Sequence, residues 1–212
     1  ILANEFFDCF SIKQFIKINY KWYEKKINFN TKDNRFFINN IILKNTSVIK
    51  NLEKLANQNE YNENQVIEIS NSRKKYFSKI CNFIKKNSGI VIIFDYGYIS
   101  PINYSTLQSI RLHRTTNLLD SPGNQDITSL VNFQDLVKIA KNNNLNIYGP
   151  ITQKEFLIRN GIAERKNKIL TKASDKQKNI IEKGYERLIA YDQMGIAFKC
   201  LIVSTYKLSN EQ

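Results

Sequence analysis

The chain contains few of the residues that shape turns or carry reactive side chains. Its 212 residues include seven glycines, three prolines, three cysteines and one histidine. No two glycines are spaced as Gly-x-Gly, and the cysteines, Cys9, Cys81 and Cys200, are far apart and lack the spacing of metal ligands. These absences exclude a disulfide framework and leave no metal site to predict. We expect buried thiols in a reducing compartment.

Long apolar segments are also missing, and acidic residues are outnumbered. No run is long enough to span a bilayer, so we predict no membrane span. With 32 Lys and Arg against 19 Asp and Glu, the formal net charge is +13. Such a charge is typical of proteins that bind nucleic acid or an anionic surface. The lysines are scattered among many Asn and Ile, however, which favours the compositional bias of an AT-rich genome.

Periodicity and turn residues predict alternating strands and helices. An opening strand is followed by a β-hairpin insertion at about 13–40, in which residues 14–19 and 22–29 pair around Tyr20-Lys21 and residues 35–39 extend the ribbon. Further strands are predicted at 65–69, 90–94, 145–148 and 197–205. Helices are predicted at 47–57, 70–88, 104–111, 132–142, 152–160, 163–170 and 175–189.

Capping and turn residues set several of these boundaries. Ser47, Ser70 and Asn132 are predicted helix N-caps. Thr152 with Glu155 forms a predicted capping box. The strand 145–148 is expected to end at Gly149-Pro150.

This order of elements is typical of an α/β fold with a doubly wound sheet. The apolar run at 90–94 meets Asp95 and is typical of a parallel strand that is buried on both faces. A strand that opens at residue 1 is expected to lie in the middle of a larger sheet. We therefore interpret residues 1–212 as a single, N-terminally truncated α/β domain.

Several blocks of the sequence, in order, resemble the MidA family of S-adenosylmethionine-dependent methyltransferases, which includes a mitochondrial complex I assembly factor. The first block, at residues 4–15, is similar to the family signature ANEFFDALPIRQF. The others lie at 95–97, 125–133, 149–157, 161–165 and 194–201. The chain departs from the family at Leu130 and Asn132, where the family has His and Asp.

The resemblance implies a Rossmann-like class I methyltransferase sheet, of which this chain is the C-terminal part. It also implies S-adenosyl-L-methionine as cofactor and a protein substrate, an arginine in a subunit of respiratory complex I. Such enzymes hold the cofactor on a glycine-rich loop that this sequence lacks. We therefore expect the chain by itself to bind the cofactor weakly or not at all and to be inactive. The implied location is the bacterial cytoplasm or, in a eukaryote, the mitochondrial matrix.

Glu5 and Asp8 are the candidate catalytic residues. A guanidinium is always protonated and is a poor nucleophile, so carboxylates that grip it would draw positive charge away from the attacking nitrogen. Glu5, at a strand end, suits that role, and Asp8 would support it; a helix N-cap is the alternative for Asp8. Asn4 and Glu5 are candidate cofactor contacts, and Asn4 is also a candidate substrate contact.

The other candidates are predicted to contact substrate. Asp95, Tyr96 and Gly97 follow a buried strand and would open onto the same crevice as the two carboxylates. The alternative for Asp95 is that it accepts backbone amides of the next turn. His113 lies in a polar loop, where a surface position competes with substrate contact. Asp126 belongs to a block shared with the family.

A different class of function remains open. The net charge of +13 and the aromatic hairpin around Trp22 are compatible with a non-catalytic basic module that binds nucleic acid or acts as a protein scaffold. The family resemblance favours the enzyme and makes nucleic acid the lesser alternative. The sequence predicts no oligomeric state.

Overall fold

The computed structural model describes residues 1–59, 62–112 and 114–208. The chain forms two compact units, each assembled from separate segments. The first, here called the sheet unit, comprises Ile1–Asp8, Lys74–Ile99 and Leu130–Gln212. The second, the hairpin unit, comprises Cys9–Arg73 and Ser100–Ser129. The assignment of residues 1–212 to a single domain stays a prediction.

Strands and helices alternate over residues 46–98 and 131–159, and runs of consecutive strands or consecutive helices occupy most of the rest of the described chain. The strands are β1 (Leu2–Asn4), β2 (Lys13–Ile18), β3 (Lys21–Asn30), β4 (Arg35–Ile42), β5 (Val66–Ile69), β6 (Ile90–Tyr98), β7 (Gln108–Arg111), β8 (Arg114–Thr115), β9 (Asp126–Thr128), β10 (Val131–Asn132), β11 (Asn146–Thr152) and β12 (Phe198–Ser204). The helices are α1 (Thr46–Gln58), α2 (Asn71–Asn87), α3 (Phe133–Asn142), α4 (Gln153–Arg159), α5 (Ile162–Leu170), α6 (Asp175–Ile189) and α7 (Met194–Ala197). None of these helices is both long and apolar enough to cross a bilayer.

The sheet unit is built on a mixed sheet whose strand order is β1-β6-β12-β11, with β10 also paired to β6. β1 runs parallel to β6, with Leu2 opposite Ile92 and Asn4 opposite Phe94. β12 is antiparallel to both β6 and β11. β1 thus lies at one edge of this sheet, and its carboxyl end points the same way as that of β6.

The two faces of β6 carry different groups. Val91, Ile93, Asp95 and Gly97 are buried on one face. On the other face, the Phe94 ring packs edge-on against Phe156 of α4, with centroids 5.0 Å apart. Helices therefore cover both faces of this strand, which explains its nearly continuous apolar sequence.

Gly97 is required where β10 and α3 approach β6. A Cβ built at Gly97 would lie 2.4 Å from the Val131 carbonyl oxygen and 2.6 Å from the Phe133 ring. We expect Gly97→Ala to lower the free energy of unfolding by about 1–3 kcal/mol through overpacking, measured by urea denaturation. Gly184→Ala in α6 is the control, because a Cβ there has no neighbour within 4 Å. Since alanine favours helix, the control variant should be as stable as the parent or more so; equal losses in both variants would contradict the packing argument.

The hairpin unit contains the predicted β-hairpin within a four-stranded antiparallel sheet of order β4-β3-β2-β5. Asn19 and Tyr20 form the turn between β2 and β3 with φ of 48° and 61°, one residue earlier than predicted. Trp22 is only 4% exposed, and its indole nitrogen donates to Glu53 of α1 at 2.8 Å. Trp22 is thus a core residue, so the aromatic hairpin does not offer its tryptophan to a nucleic acid.

Three predicted caps are confirmed. The Ser70 hydroxyl accepts from the Arg73 amide at 3.2 Å, and the Asn132 side chain accepts from the Gln134 amide at 3.1 Å. The Thr152 hydroxyl accepts from the Glu155 amide at 3.1 Å, but the Glu155 carboxylate accepts from Arg159, so the predicted capping box is not completed. Local side-chain chemistry was sufficient to locate these helix starts.

Other predicted boundaries are wrong. Asn45, not Ser47, caps α1, because its side chain accepts the amides of Ser47 and Val48. Residues 104–111 do not form a helix; Gln108–Arg111 is a strand that pairs with Asp126–Thr128, a partner distant in sequence.

The strand predicted at 145–148 also continues further than expected. β11 passes through Gly149-Pro150 with an irregular register between Tyr148 and Ile151. Gly149 has φ of 89°, and a Cβ there would lie 2.7 Å from the Cys200 carbonyl oxygen. The glycine therefore permits a close approach to β12 within the strand and does not terminate it.

Candidate functional site

The candidate site lies where β1 ends beside β6. The two strands are parallel, and β1 ends opposite Phe94, whereas β6 continues to Tyr98. Asn4 is the last residue of β1, and the Glu5 amide continues the pairing by donating to the Phe94 carbonyl at 2.9 Å. Glu5 then has φ of 46°, a left-handed conformation that is unfavourable for a residue with a long side chain. Such strain is typical of functional positions.

Asp95 holds the segment that follows β1. Its carboxylate is fully buried, and Oδ2 accepts the backbone amides of Phe6 at 3.1 Å and Phe7 at 2.7 Å. The prediction that Asp95 follows its strand is wrong, since β6 continues to Tyr98. Asp95 does accept backbone amides, but they belong to the residues after Glu5 and not to the next turn. A contact between Asp95 and substrate stays a prediction.

Aromatic packing anchors the same segment from the side of α2. The Phe7 ring is fully buried and lies edge-on to Phe77, with centroids 5.7 Å apart. The Phe6 ring lies 5.3 Å from Tyr76 and 5.2 Å from Phe7. The two phenylalanines of the Glu5-Phe6-Phe7-Asp8 segment therefore fix the backbone that carries both candidate carboxylates.

The charges of three carboxylates act on the Tyr96 phenol. Burial, and then the negative charges of Glu5, Asp8 and Asp95, raise the pKa of Tyr96 above its ordinary value, while Arg187 of α6 acts in the opposite direction. The phenol therefore stays protonated at neutral pH and remains a hydrogen-bond donor. The three carboxylates concentrate negative charge at the edge of the sheet, which suits a cationic ligand such as a guanidinium.

The individual side chains differ in exposure. Glu5 and Asn4 are exposed, and the Asn4 amide nitrogen lies 3.4 Å from Glu5 Oε1. Asp8 is only 7% exposed. The helix N-cap alternative for Asp8 is wrong, because a turn and then β2 follow it. Glu5 thus presents a charge that solvent or a ligand reaches, while Asp8 contributes from a buried position.

Most of the chain matches a model of a known protein family. Residues 1–151 match the family model described as "Putative S-adenosyl-L-methionine-dependent methyltransferase". The chain belongs to this methyltransferase family. The matched residues include the whole Glu5–Asp8 segment and all of β6, so the predicted resemblance is confirmed on the residues that form the site.

Two relatives from animals are similar over nearly the whole chain. The "Protein arginine methyltransferase NDUFAF7, mitochondrial" of Xenopus tropicalis is 31% identical over 202 residues, which cover 93% of this chain and 45% of that protein. The Drosophila melanogaster homolog of the same name is 27% identical over 205 residues, which cover 95% and 46%. The chain thus spans about half the length of the relatives it matches.

Two crystal structures of one protein superfamily from Burkholderia thailandensis share the fold. An uncharacterized protein has a TM-score of 0.81 at 21% identity, covering 96% of this chain and 54% of that chain. A structure with bound S-adenosyl-homocysteine has a TM-score of 0.82 at 19% identity, covering 96% and 52%. The predicted α/β methyltransferase fold is therefore confirmed.

Three further residues of this methyltransferase family member are candidate substrate contacts. Gly97 is buried beneath Val131 and Phe133, so close packing accounts for the glycine. Asp126 is exposed at the start of β9 in the hairpin unit, opposite Ile110. His113 lies outside the described residues. The roles of all three in substrate binding stay predictions.

Sequence reasoning missed two contributions to the site. Arg187, whose positive charge acts on Tyr96, lies on a helix far along the chain, and its sequence neighbourhood gives no signal of that interaction. Phe6 and Phe7 are two consecutive aromatic residues directly before an acid, a pattern that indicates an anchored loop. Within the described residues, no cluster of His, Cys, Asp and Glu has the composition of a metal site.

The cysteines are not all buried, contrary to expectation. Cys81 and Cys200 are buried, but Cys9 is exposed. Burial raises the pKa of each buried thiol from an ordinary value of 9.0 to about 12. Both are therefore poor nucleophiles near neutral pH.

We expect a thiol reagent at pH 8 to modify Cys9 in the native chain and to reach Cys81 and Cys200 only after unfolding. Mass spectrometry of the labelled protein counts the adducts. Rapid native labelling of all three thiols would contradict their placement.

The buried thiols also predict a pH dependence of stability. Since the unfolded thiols ionise near 9.0 and the folded ones near 12, the free energy of unfolding should be unaffected by these groups below pH 9.0 and fall progressively as the pH rises toward 12.

Proposed function

We propose that this chain forms part of an S-adenosyl-L-methionine-dependent methyltransferase that modifies an arginine side chain of a protein. The observation that carries the proposal is the acidic segment Glu5–Asp8, which follows β1 and is held beside β6 by the bonds from the Phe6 and Phe7 amides to the buried Asp95 carboxylate. Membership of the methyltransferase family, and relatives named as protein arginine methyltransferases, support it.

The residues present are compatible with the cofactor at the end of β1. Asn4 and Glu5 are exposed and offer an amide donor and carboxylate acceptors suited to polar groups of S-adenosyl-L-methionine. The cofactor, when bound, supplies the methyl group. The sequence has no Gly-x-Gly loop. We therefore propose that polypeptide other than residues 1–212 forms the main part of the cofactor-binding site.

The chain's own residues would then prepare the acceptor. Glu5 grips the guanidinium through charge-assisted hydrogen bonds and orients one nitrogen toward the methyl carbon. Asp8 and Asp95 add negative potential, and Asp95 also positions Glu5 through the Phe6 and Phe7 amides. Protonated Tyr96 is a donor for a polar group of the acceptor peptide. The proton that the attacking nitrogen gives up passes to water, which needs no histidine base.

The substrate protein and its location are also proposed. The family resemblance implies a subunit of respiratory complex I, and the relatives are named as mitochondrial proteins. We accordingly propose the mitochondrial matrix as the location in a eukaryote and the cytoplasm in a bacterium.

The test uses the complete gene product, S-adenosyl-L-methionine with a labelled methyl group, and purified NADH dehydrogenase from the same organism. We expect label on an arginine of one subunit, located by peptide mass spectrometry. Cofactor binding without transfer to this complex would reject the substrate, and no cofactor binding by the complete gene product would reject the enzyme. Micromolar binding by residues 1–212 alone would contradict the assignment of the cofactor cradle elsewhere.

A further inference from the structure

β4 is an exposed edge strand with an apolar sequence. All eight of its residues are exposed, and within the described part of the chain it pairs only with β3. Phe36, Phe37, Ile38, Ile41 and Ile42 are each 42–45% exposed. Residues 36–42 contain no charge and no proline. Natural edge strands usually carry charged residues or proline, because an unprotected open edge is a template for pairing with another strand.

The exposed side chains lie on both faces of the ribbon. Successive strand residues point to opposite faces, so Phe36, Ile38 and Ile42 share one face and Phe37 and Ile41 share the other. A partner placed against one face would leave the other in water. A strand added at the open edge would contact both faces and also satisfy the outward backbone groups of β4.

The sequence of β4 is complementary to itself. We propose that the β4 strands of two copies of this chain pair antiparallel about a two-fold axis at Asn39. In this register Phe37 lies opposite the partner's Ile41, and Phe36 lies opposite the partner's Ile42. Aromatic and β-branched residues form favourable cross-strand pairs, and the two Asn39 side chains face each other at the axis.

Charge is compatible with this pairing. Arg35 is the only charged residue of β4. In the antiparallel register the two Arg35 side chains lie at opposite ends of the paired strands, roughly 27 Å apart at 3.4 Å per residue. That separation exceeds the Debye length of about 8 Å at physiological ionic strength, so the two Arg35 side chains do not oppose the pairing.

The interface area predicts a weak dimer. Side chains of this size that are somewhat under half exposed offer about 80–100 Å² each, so complete coverage of all five in both copies would bury at most about 900 Å². This area is below the 1,200–2,000 Å² that stable interfaces typically bury. It falls approximately in the range of weak and transient interfaces. We therefore expect a concentration-dependent dimer with a micromolar or weaker dissociation constant.

Cysteine cross-linking tests the register in the full chain. In a Cys9→Ser background, Asn39→Cys places two thiols at the axis, where opposed Cβ atoms are close enough for a disulfide. Thr31→Cys, at the exposed tip beyond β3, is the control. Under mild oxidation the covalent dimer fraction should be several-fold higher for Asn39→Cys than for Thr31→Cys. Equal fractions would overturn the proposed register.

Sedimentation equilibrium tests the association itself. Ile41→Lys introduces a charge opposite the partner's Phe37 and should shift the chain to monomer. Ile27→Lys makes the same change on β3, at a residue that is 56% exposed but away from the open edge, and should leave the dimer unchanged. Circular dichroism verifies that both variants fold. A parent chain that stays monomeric at hundreds of micromolar, or equal effects of the two lysines, would refute the proposal.

Discussion

Replacing Glu5 by Gln in the complete gene product is expected to lower the turnover number for protein methylation by roughly 100-fold, the usual effect of removing one preorganised electrostatic contact. The amide keeps the shape of the side chain but loses the charge that grips a guanidinium. Because Glu5 is exposed, the substitution should leave folding unchanged. Turnover and Michaelis constants measured with the labelled methyl donor separate loss of chemistry from loss of binding.

A matched control keeps this result interpretable. Glu182→Gln removes one exposed carboxylate from α6 and should leave methylation at the parent level. Circular dichroism of both variants checks that the fold is intact. Undiminished methylation by the Glu5→Gln protein would remove Glu5 from the mechanism.

Replacing Asp95 by Ala is expected to destabilise the chain by about 3–5 kcal/mol, since each buried amide left unpaired costs about 1–3 kcal/mol. The carboxylate is fully buried and accepts the amides of Phe6 and Phe7. Urea denaturation followed by circular dichroism gives the change in free energy. Amide hydrogen exchange should show the loss of protection at those two residues directly.

Two further variants isolate the cause. Asp95→Asn retains an oxygen acceptor and should cost less than the alanine variant. Asp192→Ala removes an exposed carboxylate and should change stability little. If Asp95→Ala were as stable as Asp192→Ala, Asp95 would not hold the Glu5 segment, and its role as a positioning residue would have to be abandoned.

Local sequence signals predicted much of the architecture because they act over a few residues. The caps at Ser70, Asn132 and Thr152 depend on one side chain and an amide two or three positions away. The apolar run of β6 identified a strand covered on both faces. Residues 104–111 were mispredicted because the strand there is stabilised by pairing with β9, which short-range periodicity does not detect.

The sequence by itself determined the family, the alternation of helices and strands, and the candidate acids Glu5 and Asp8, since motif order and helical or strand periodicity are properties of neighbouring residues. Only the tertiary structure decided that Asp95 supports the Glu5 segment and that Arg187 acts on Tyr96. It also revealed the open edge of β4. These features depend on groups that are far apart along the chain and become neighbours only when the sheets assemble.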